Sequence, residues 1–364
     1  MSTAPKARLL AVDALRGFDM FWILGGELLF GALYRLTGWP LWPPLEAQMQ
    51  HSAWHGFTAY DGIFPLFIFL SGVTLGLAGQ SLRGRPWAER KVAYQGALRR
   101  LGLLLLLGIL YNHGWGTGLP AHWDEVRFAS VLGRIGLAWF FAALISWHWG
   151  WRVQLAVSAV LLLGYWAILG GHWDDPATTP NAWVDQQLLP GIHYHQMPAD
   201  PEGLLSTLPA IVNALLGGLA GRWLKRAPGE GAKVGGLVLG GLLALALGYC
   251  WSSWLPLNKT LWTSSFVLVT CGWSALLLAL FYALVDVLGM KRLGTFFAVI
   301  GANAICIYLA SSLFDWPHLV SSIAGQWIAA LPAGAQPLAA ALGLLAVQWL
   351  VLAWLYRRRI FIKV

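Results

Sequence analysis

His51 and Asp61 are the residues of this chain from which chemistry is most readily built. They stand in the stretch His51-Ser-Ala-Trp54-His55-Gly-Phe-Thr58-Ala-Tyr-Asp61-Gly-Ile-Phe-Pro65, the histidine just ahead of an apolar segment and the aspartate about one turn inside it. Imidazole titrates near neutrality, so it can take a proton from an amine or hydroxyl that attacks an acyl group. A carboxylate nearby can hold the ring in the tautomer that this needs. Spacing alone leaves a second reading open, in which His51 is a wet polar group at a membrane interface. Pro65 is a kink candidate whose freed carbonyl a neighbouring helix can satisfy.

Ionisable groups in or beside apolar segments are costly, and each is therefore a candidate for function. The first apolar segment carries Asp13, Arg16, Asp19 and Glu27. Asp13 and Arg16 share a helix face and read as an ion pair at the membrane boundary. Glu27 has no cation near it in sequence and is a candidate second catalytic group, as is Asp61. Asp200 and Glu202 precede a later segment, where carboxylates favour a helix N-terminus; capping and a sugar contact are equal alternatives. Asn258, Lys259 and Trp262 share a short loop in which an indole could stack on a pyranose face or anchor the interface. Lys259 is expected to meet an anion: an acidic sugar, Asp200, Glu202 or part of a nucleotide donor. Arg134, inside an apolar segment, must pair with Glu27, Asp61 or a phosphate. Asn303 could bond a ligand or a neighbouring helix. Cys250, Cys271 and Cys306 lie in apolar stretches without metal-ligand spacing, and neither a disulfide framework nor a metal site is expected. Phosphate-loop, dinucleotide and zinc motifs are also absent from the sequence.

The elements that must position these residues are membrane helices. Hydrophobic residues make up 58% of the 364 and charged ones 11%, with a mean hydropathy of +0.61. A soluble domain carries about 25% charged residues, so lipid must be the solvent. The 23 tryptophans and 42 glycines agree with that, through interface anchoring and close helix approach. Apolar runs predict an all-α bundle of about ten spans (ten to eleven), near 17–36, 60–79, 95–112, 129–147, 152–170, 204–222, 234–251, 263–285, 295–313 and 338–356. A single transmembrane domain over 1–364 is expected, with no cleaved leader.

The net charge of +8 raises nucleic acid as a partner, but the distribution of the charge excludes it. Lys6, Arg8, Arg16, the cluster from Arg83 to Arg100, Arg152, the cluster from Arg222 to Lys233, Lys291, Arg292, Arg357 to Arg359 and Lys363 all fall in alternate connections or at the ends. Of the 24 basic residues only Arg35, Arg127, Arg134 and Lys259 do not. The positive-inside rule then puts both termini in the cytoplasm. The other side holds most of the nine histidines and a long acidic loop near 171–203.

Leu10-Ala-Val-Asp13-Ala-Leu-Arg16-Gly17 and the His51–Pro65 stretch resemble heparan-α-glucosaminide N-acetyltransferase and its bacterial relatives. So do His122-Trp-Asp124-Glu-Val-Arg127 with Val131-Leu-Gly-Arg134, Asp200-Pro-Glu202-Gly-Leu-Leu-Ser-Thr207, and Leu257-Asn258-Lys259-Thr-Leu-Trp262. The resemblance runs from about residue 9 to the last spans. It implies a multi-pass transmembrane acyltransferase of the bacterial inner membrane, taking acetyl from cytosolic acetyl-CoA to the amino group of a glucosamine-type sugar on the periplasmic side. His51 falls on the family's active-site histidine. Where the lysosomal enzymes are expected to have an asparagine, ten residues after the glycine of Asp-x-x-Arg-Gly, this chain has Glu27, and its loop to His51 is longer. The resemblance leaves CoA to be held between helices, with Arg134 and Asn303 as candidate contacts, and the sugar to be met by Asp200, Glu202, Asn258, Lys259 and Trp262. A homodimer is one assembly to consider. The competing function is an amino-sugar (N-acetylglucosamine) permease, which an inverted repeat would favour; the sequence shows no such repeat.

Overall fold

The computed structural model describes residues 9–114, 116 and 122–362, so Lys6, Arg8 and Lys363 lie outside the described residues. The expected all-α class is found. The described residues form helices, and their only strand-like pairing is an isolated bridge between Arg127 and Gly191.

Seven helices are long and apolar enough to cross a membrane, or eight if one bent pair is a single span. Each of the ten expected segments does find helix, but the ninth is that bent pair and two others fall short of a span. In the first, α1 (Leu10–Phe21) gives way to a π-helical turn over Trp22–Gly26, where Gly25 has φ 122°, before α2 (Leu28–Thr37) resumes. Ten residues of helix reach only about 15 Å, half the hydrocarbon core. The sixth, α9 (Thr207–Arg226), carries Asn213 and ends in Arg222-Trp-Leu-Lys225-Arg226.

The chain divides into two compact units. One comprises Met1–Met49 and Leu277–Lys363, the other Gln50–Leu276. The first unit contains α1, α2, the short α3 (Trp42–Ala47), α12 (Lys291–Gly301), α13 (Ala304–Leu313), α14 (Trp316–Ala329) and α15 (Gln336–Arg357). α12 and α13 form the bent pair, meeting at 52°. α1 packs on α12 through glycine: a Cβ on Gly17 would lie 1.8 Å from the Phe297 carbonyl oxygen, and one on Gly301 1.9 Å from that of Asp13.

The second unit contains α4 (Ile63–Ala78), α5 (Trp87–His113), α6 (Val131–His148), α7 (Trp151–Leu169), the short α8 (Pro180–Leu188), α9, α10 (Glu230–Trp251) and most of α11 (Ser264–Phe281). Its core is the contact between α4 and α9, made by two interlocked Gly-x-x-x-Gly patterns. A Cβ on Gly72 or Gly76 would lie 2.0 Å from the carbonyl oxygen of Ala214 or Gly218. One on Gly217 or Gly221 would lie 2.0 or 2.1 Å from that of Phe69 or Val73. Only glycine allows helices so close, and the approach replaces the hydrophobic drive that lipid removes. α4 ends at Gly79, whose φ of 61° is the usual helix-terminating conformation.

Candidate active site

His51, Asp61 and Lys259 come together in the second unit. Asp61 lies in the single turn Tyr60–Gly62 that starts α4, and its side chain is fully buried. Such a carboxylate must be compensated. Oδ2 accepts the backbone N–H of Ser52 at 3.2 Å and of Thr58 at 3.1 Å, folding the 51–58 loop over the helix start. Oδ1 lies 2.9 Å from His51 Nδ1 and 3.8 Å from Lys259 Nζ. A carboxylate accepts hydrogen bonds, so Nδ1 of His51 carries the proton and Nε2 is left with a lone pair. The imidazole itself is half exposed and rests against the Tyr60 ring, 4.8 Å between centroids.

Lys259 comes from the loop between α10 and α11, and its Nζ sits 3.0 Å from each nitrogen of the His51 ring. Burial pushes its ammonium down from the ordinary lysine range, against the opposing pull of Asp61 and Glu202. The anion that Lys259 meets is therefore Asp61, 3.8 Å from its Nζ. This loop is pinned at several points. The buried Asn258 closes its turn by accepting the Leu261 N–H through Oδ1 at 2.8 Å, and its Nδ2 lies 3.4 Å from His55 Nδ1. Tyr165 Oη donates to the Leu261 carbonyl, and Gly56 N–H donates to the Leu257 carbonyl at 2.8 Å, tying the loop to the histidine segment. The other ring nitrogen of His55 lies 3.0 Å from Asp174 Oδ1.

Trp262 corrects the sequence-based expectation. Its indole is wholly buried, not displayed on a loop: Nε1 donates to Asn213 Oδ1 at 2.9 Å, and Phe64, Phe266 and the Arg134 guanidinium surround the ring. Its backbone is left-handed, φ 56°, a strained conformation for a bulky residue that the buried side chain holds in place. A ring so enclosed supports the loop from below and offers no exposed face to a sugar or an interface.

Asp200 and Glu202 are also not free ends of a helix. Both bind Arg127, a residue that the sequence reading left without a role. Arg127 Nε donates to Asp200 Oδ2 at 2.8 Å, and Nη2 reaches Asp200 and Glu202. Asp200 further accepts the Tyr194 and Glu202 N–H groups, each at 2.9 Å. Burial raises the Asp200 carboxyl, but these bonds and the Arg127 charge outweigh it and hold the group below the usual carboxylate range. Asp185, accepting the Asp200 and Leu204 N–H groups, is pushed up by burial. The signal for this cluster was Arg127 itself, a cation on the side poor in cations.

Arg134 is buried and does not pair with Asp61, which is committed to His51 and Lys259. Its Nη2 binds the Gly203 carbonyl and Ser206 Oγ, while Nε and Nη1 have no partner. Glu27 and Asn303 belong to the other unit. Glu27 ends the π-helical turn at Gly25, and Asn303 spends both ends of its amide on the tail, with Nδ2 to the Ile360 carbonyl at 3.0 Å and Oδ1 from the Ile362 N–H at 2.9 Å.

No family model matches the chain. Among curated proteins it is similar to heparan-alpha-glucosaminide N-acetyltransferase of Homo sapiens, with 26% identity over 372 residues that take in 86% of this chain and 54% of the human protein. The same-named protein of Mus musculus is 25% identical over 370 residues, 85% of this chain and 55% of its own length. The chain thus spans about half the length of the curated relatives it matches. The resemblance first carried by separate motifs thus extends over most of the chain, and the proteins it is similar to there are heparan-alpha-glucosaminide N-acetyltransferases.

Proposed function

We propose that this chain is a multi-pass bacterial inner-membrane acetyltransferase that moves acetyl from cytosolic acetyl-CoA to the amino group of a glucosamine-type sugar on the periplasmic side. The observation that carries the reading is the hydrogen-bonded pair of His51 and the buried Asp61, with Lys259 against the same ring. The neutral amine attacks the thioester carbonyl, forming a C–N bond. Lys259 Nζ turns from His51 Nε2 toward the developing oxyanion, and the freed Nε2 takes the amine proton as the tetrahedral intermediate forms. The C–S bond then breaks, and the thiolate leaves and takes up the proton. Asp61 fixes the tautomer and steadies the imidazolium, as a carboxylate does for other histidine bases. Lys259, 3.0 Å from the ring, is the nearest cation for the developing oxyanion. The two unpartnered donors of Arg134 suit a donor carbonyl or phosphate. The human and mouse relatives, named as N-acetyltransferases of a glucosaminide, support the choice of reaction and acceptor class.

Purified protein given labelled acetyl-CoA and a panel of amino sugars tests this. The expected result is a labelled N-acetyl sugar, lost by about 10²–10⁴-fold in His51→Ala, with donor binding retained. Near wild-type turnover in His51→Ala, or no transfer to any amino sugar by the wild type, refutes the proposal.

A further inference from the structure

The far end of the helices that carry the candidate site holds a second, separate constellation. Asp61 and Gly79, at the two ends of α4, are eighteen residues apart, about 27 Å along a helix. At the Gly79 end a cavity of about 230 Å³ opens between the ends of α4, α6 and α9 and the start of α7. Arg83, Arg222, Lys225 and Arg226 line it. Among the described residues none of these four meets a carboxylate in an ion pair, and Lys225 reaches only the Ala78 carbonyl, at 3.1 Å. Four cations around one cavity repel each other unless an anion joins them.

Two independent features of the wall point to the same ligand. Ser146 and Trp147 line the cavity, are 8% and 4% exposed, and leave Ser146 Oγ and Trp147 Nε1 without a hydrogen-bond partner. Buried donors are seldom left unpaired, and each one so left costs free energy. In addition, α7 begins at this wall, where Gly150 and Trp151 line the cavity, with Gly150 as its N-cap and no side-chain cap to take its first N–H groups. Trp149 and Trp151, about half exposed, supply flat apolar surface beside them.

From this convergence of unpaired cations, orphaned donors and an uncapped helix start, we infer that the cavity is an organic-phosphate site. Its ligand chemistry is a phosphate ester with a flat or apolar neighbour. Two sources present that chemistry: the phosphorylated nucleoside end of a CoA-type donor, which rests on the function proposed above, and an anionic phospholipid headgroup. The site is distinct from the His51 cluster, and direct binding reads it without any acetyl transfer.

The test measures binding of adenosine 3′,5′-bisphosphate to the purified full chain in neutral detergent, and separately of short-chain phosphatidylglycerol. Wild type is compared with Arg222→Gln/Arg226→Gln and with Ser146→Ala. Saturable binding of the nucleotide, weakened about tenfold or more by the arginine pair and less by Ser146→Ala, supports the site and assigns it to the donor. Saturable binding of the lipid alone, with the same ranking of variants, supports the site and assigns it to the membrane. Absence of saturable binding of both probes to wild type, or affinities indifferent to the variants, overturns the inference. His51→Ala binds either probe as wild type does, so failure at the active site and failure here are told apart.

Discussion

Replacing Asp61 by asparagine perturbs the candidate site without changing its volume. The carboxylate takes three bonds that matter: two backbone N–H groups on Oδ2, from Ser52 and Thr58, and His51 on Oδ1. An amide can accept at only one end. Keeping two bonds instead of one, it turns its oxygen to the backbone and its NH₂ to His51. The ring must then accept through Nδ1, which moves its proton to Nε2 and removes the lone pair that takes the amine proton. The backbone cradle survives, so folding is largely kept while the base is lost. The expected fall in kcat is about 10²–10⁴-fold, the usual worth of a general base. His51→Ala should fall by the same order, and the double variant should be no worse than either single one, because residues that act as a unit are not additive. The assay is transfer from labelled acetyl-CoA, with thermal unfolding and donor binding measured on the same preparations. Losses that multiply in the double variant, or wild-type turnover in Asp61→Asn, would refute the coupling.

Cysteine labels at Gly84 and Gly229 are expected to react from the cytoplasmic side and one at Thr178 from the periplasmic side; reaction of Gly84 and Thr178 from one side overturns the orientation drawn from the basic residues. Gly217→Val forces side-chain carbons against the Phe69 backbone and should cost about 1–3 kcal/mol, read as a lowered Tm in detergent, whereas Gly84→Ala, with nothing nearby, should alter Tm little apart from the strain of its φ of 67°. Arg127→Gln leaves Asp200 and Glu202 without their cation and should cost about 3–5 kcal/mol at neutral pH. Because the Asp200 carboxyl is depressed in the folded protein, the stability it contributes is present above its unfolded value of about 3.9 and lost as pH falls through the lower folded value. The gap between wild type and Arg127→Gln should therefore narrow below about pH 4, and a gap that widens there contradicts the ion-pair role.

The helices were legible because apolar runs of about 20 residues leave little choice in lipid. Their ends were less so: α5 starts at Trp87 rather than near 95, since charged residues such as Arg90 and Lys91 continue a helix beyond the apolar stretch. α14 escaped notice because its polar residues and Pro317 break the run of hydropathy, although Trp327 and Ile323 remain exposed on it. In the site, His51 and Asp61 could be paired from sequence because one loop and one helix turn join them. Lys259 is 208 residues from His51 in the chain, and no local pattern brings such residues together. Trp262 shows the opposite limit. A tryptophan beside lysine and asparagine reads as a displayed aromatic, whereas its backbone is left-handed and its ring is buried.

The glycine contact between α4 and α9 has a mechanical consequence. Helices spaced by side chains can slide or roll, because rotamers repack to absorb the motion. Here backbone meets backbone at Gly72, Gly76, Gly217 and Gly221, so a small shear would drive Cα atoms into carbonyl oxygens. The pair moves as one rod, with Asp61 at one tip and the cation-lined cavity at the other. A carrier that rocks these two helices against each other to expose a substrate alternately to each side would have to break that contact at every cycle. The acetyl transfer proposed above asks for no such break.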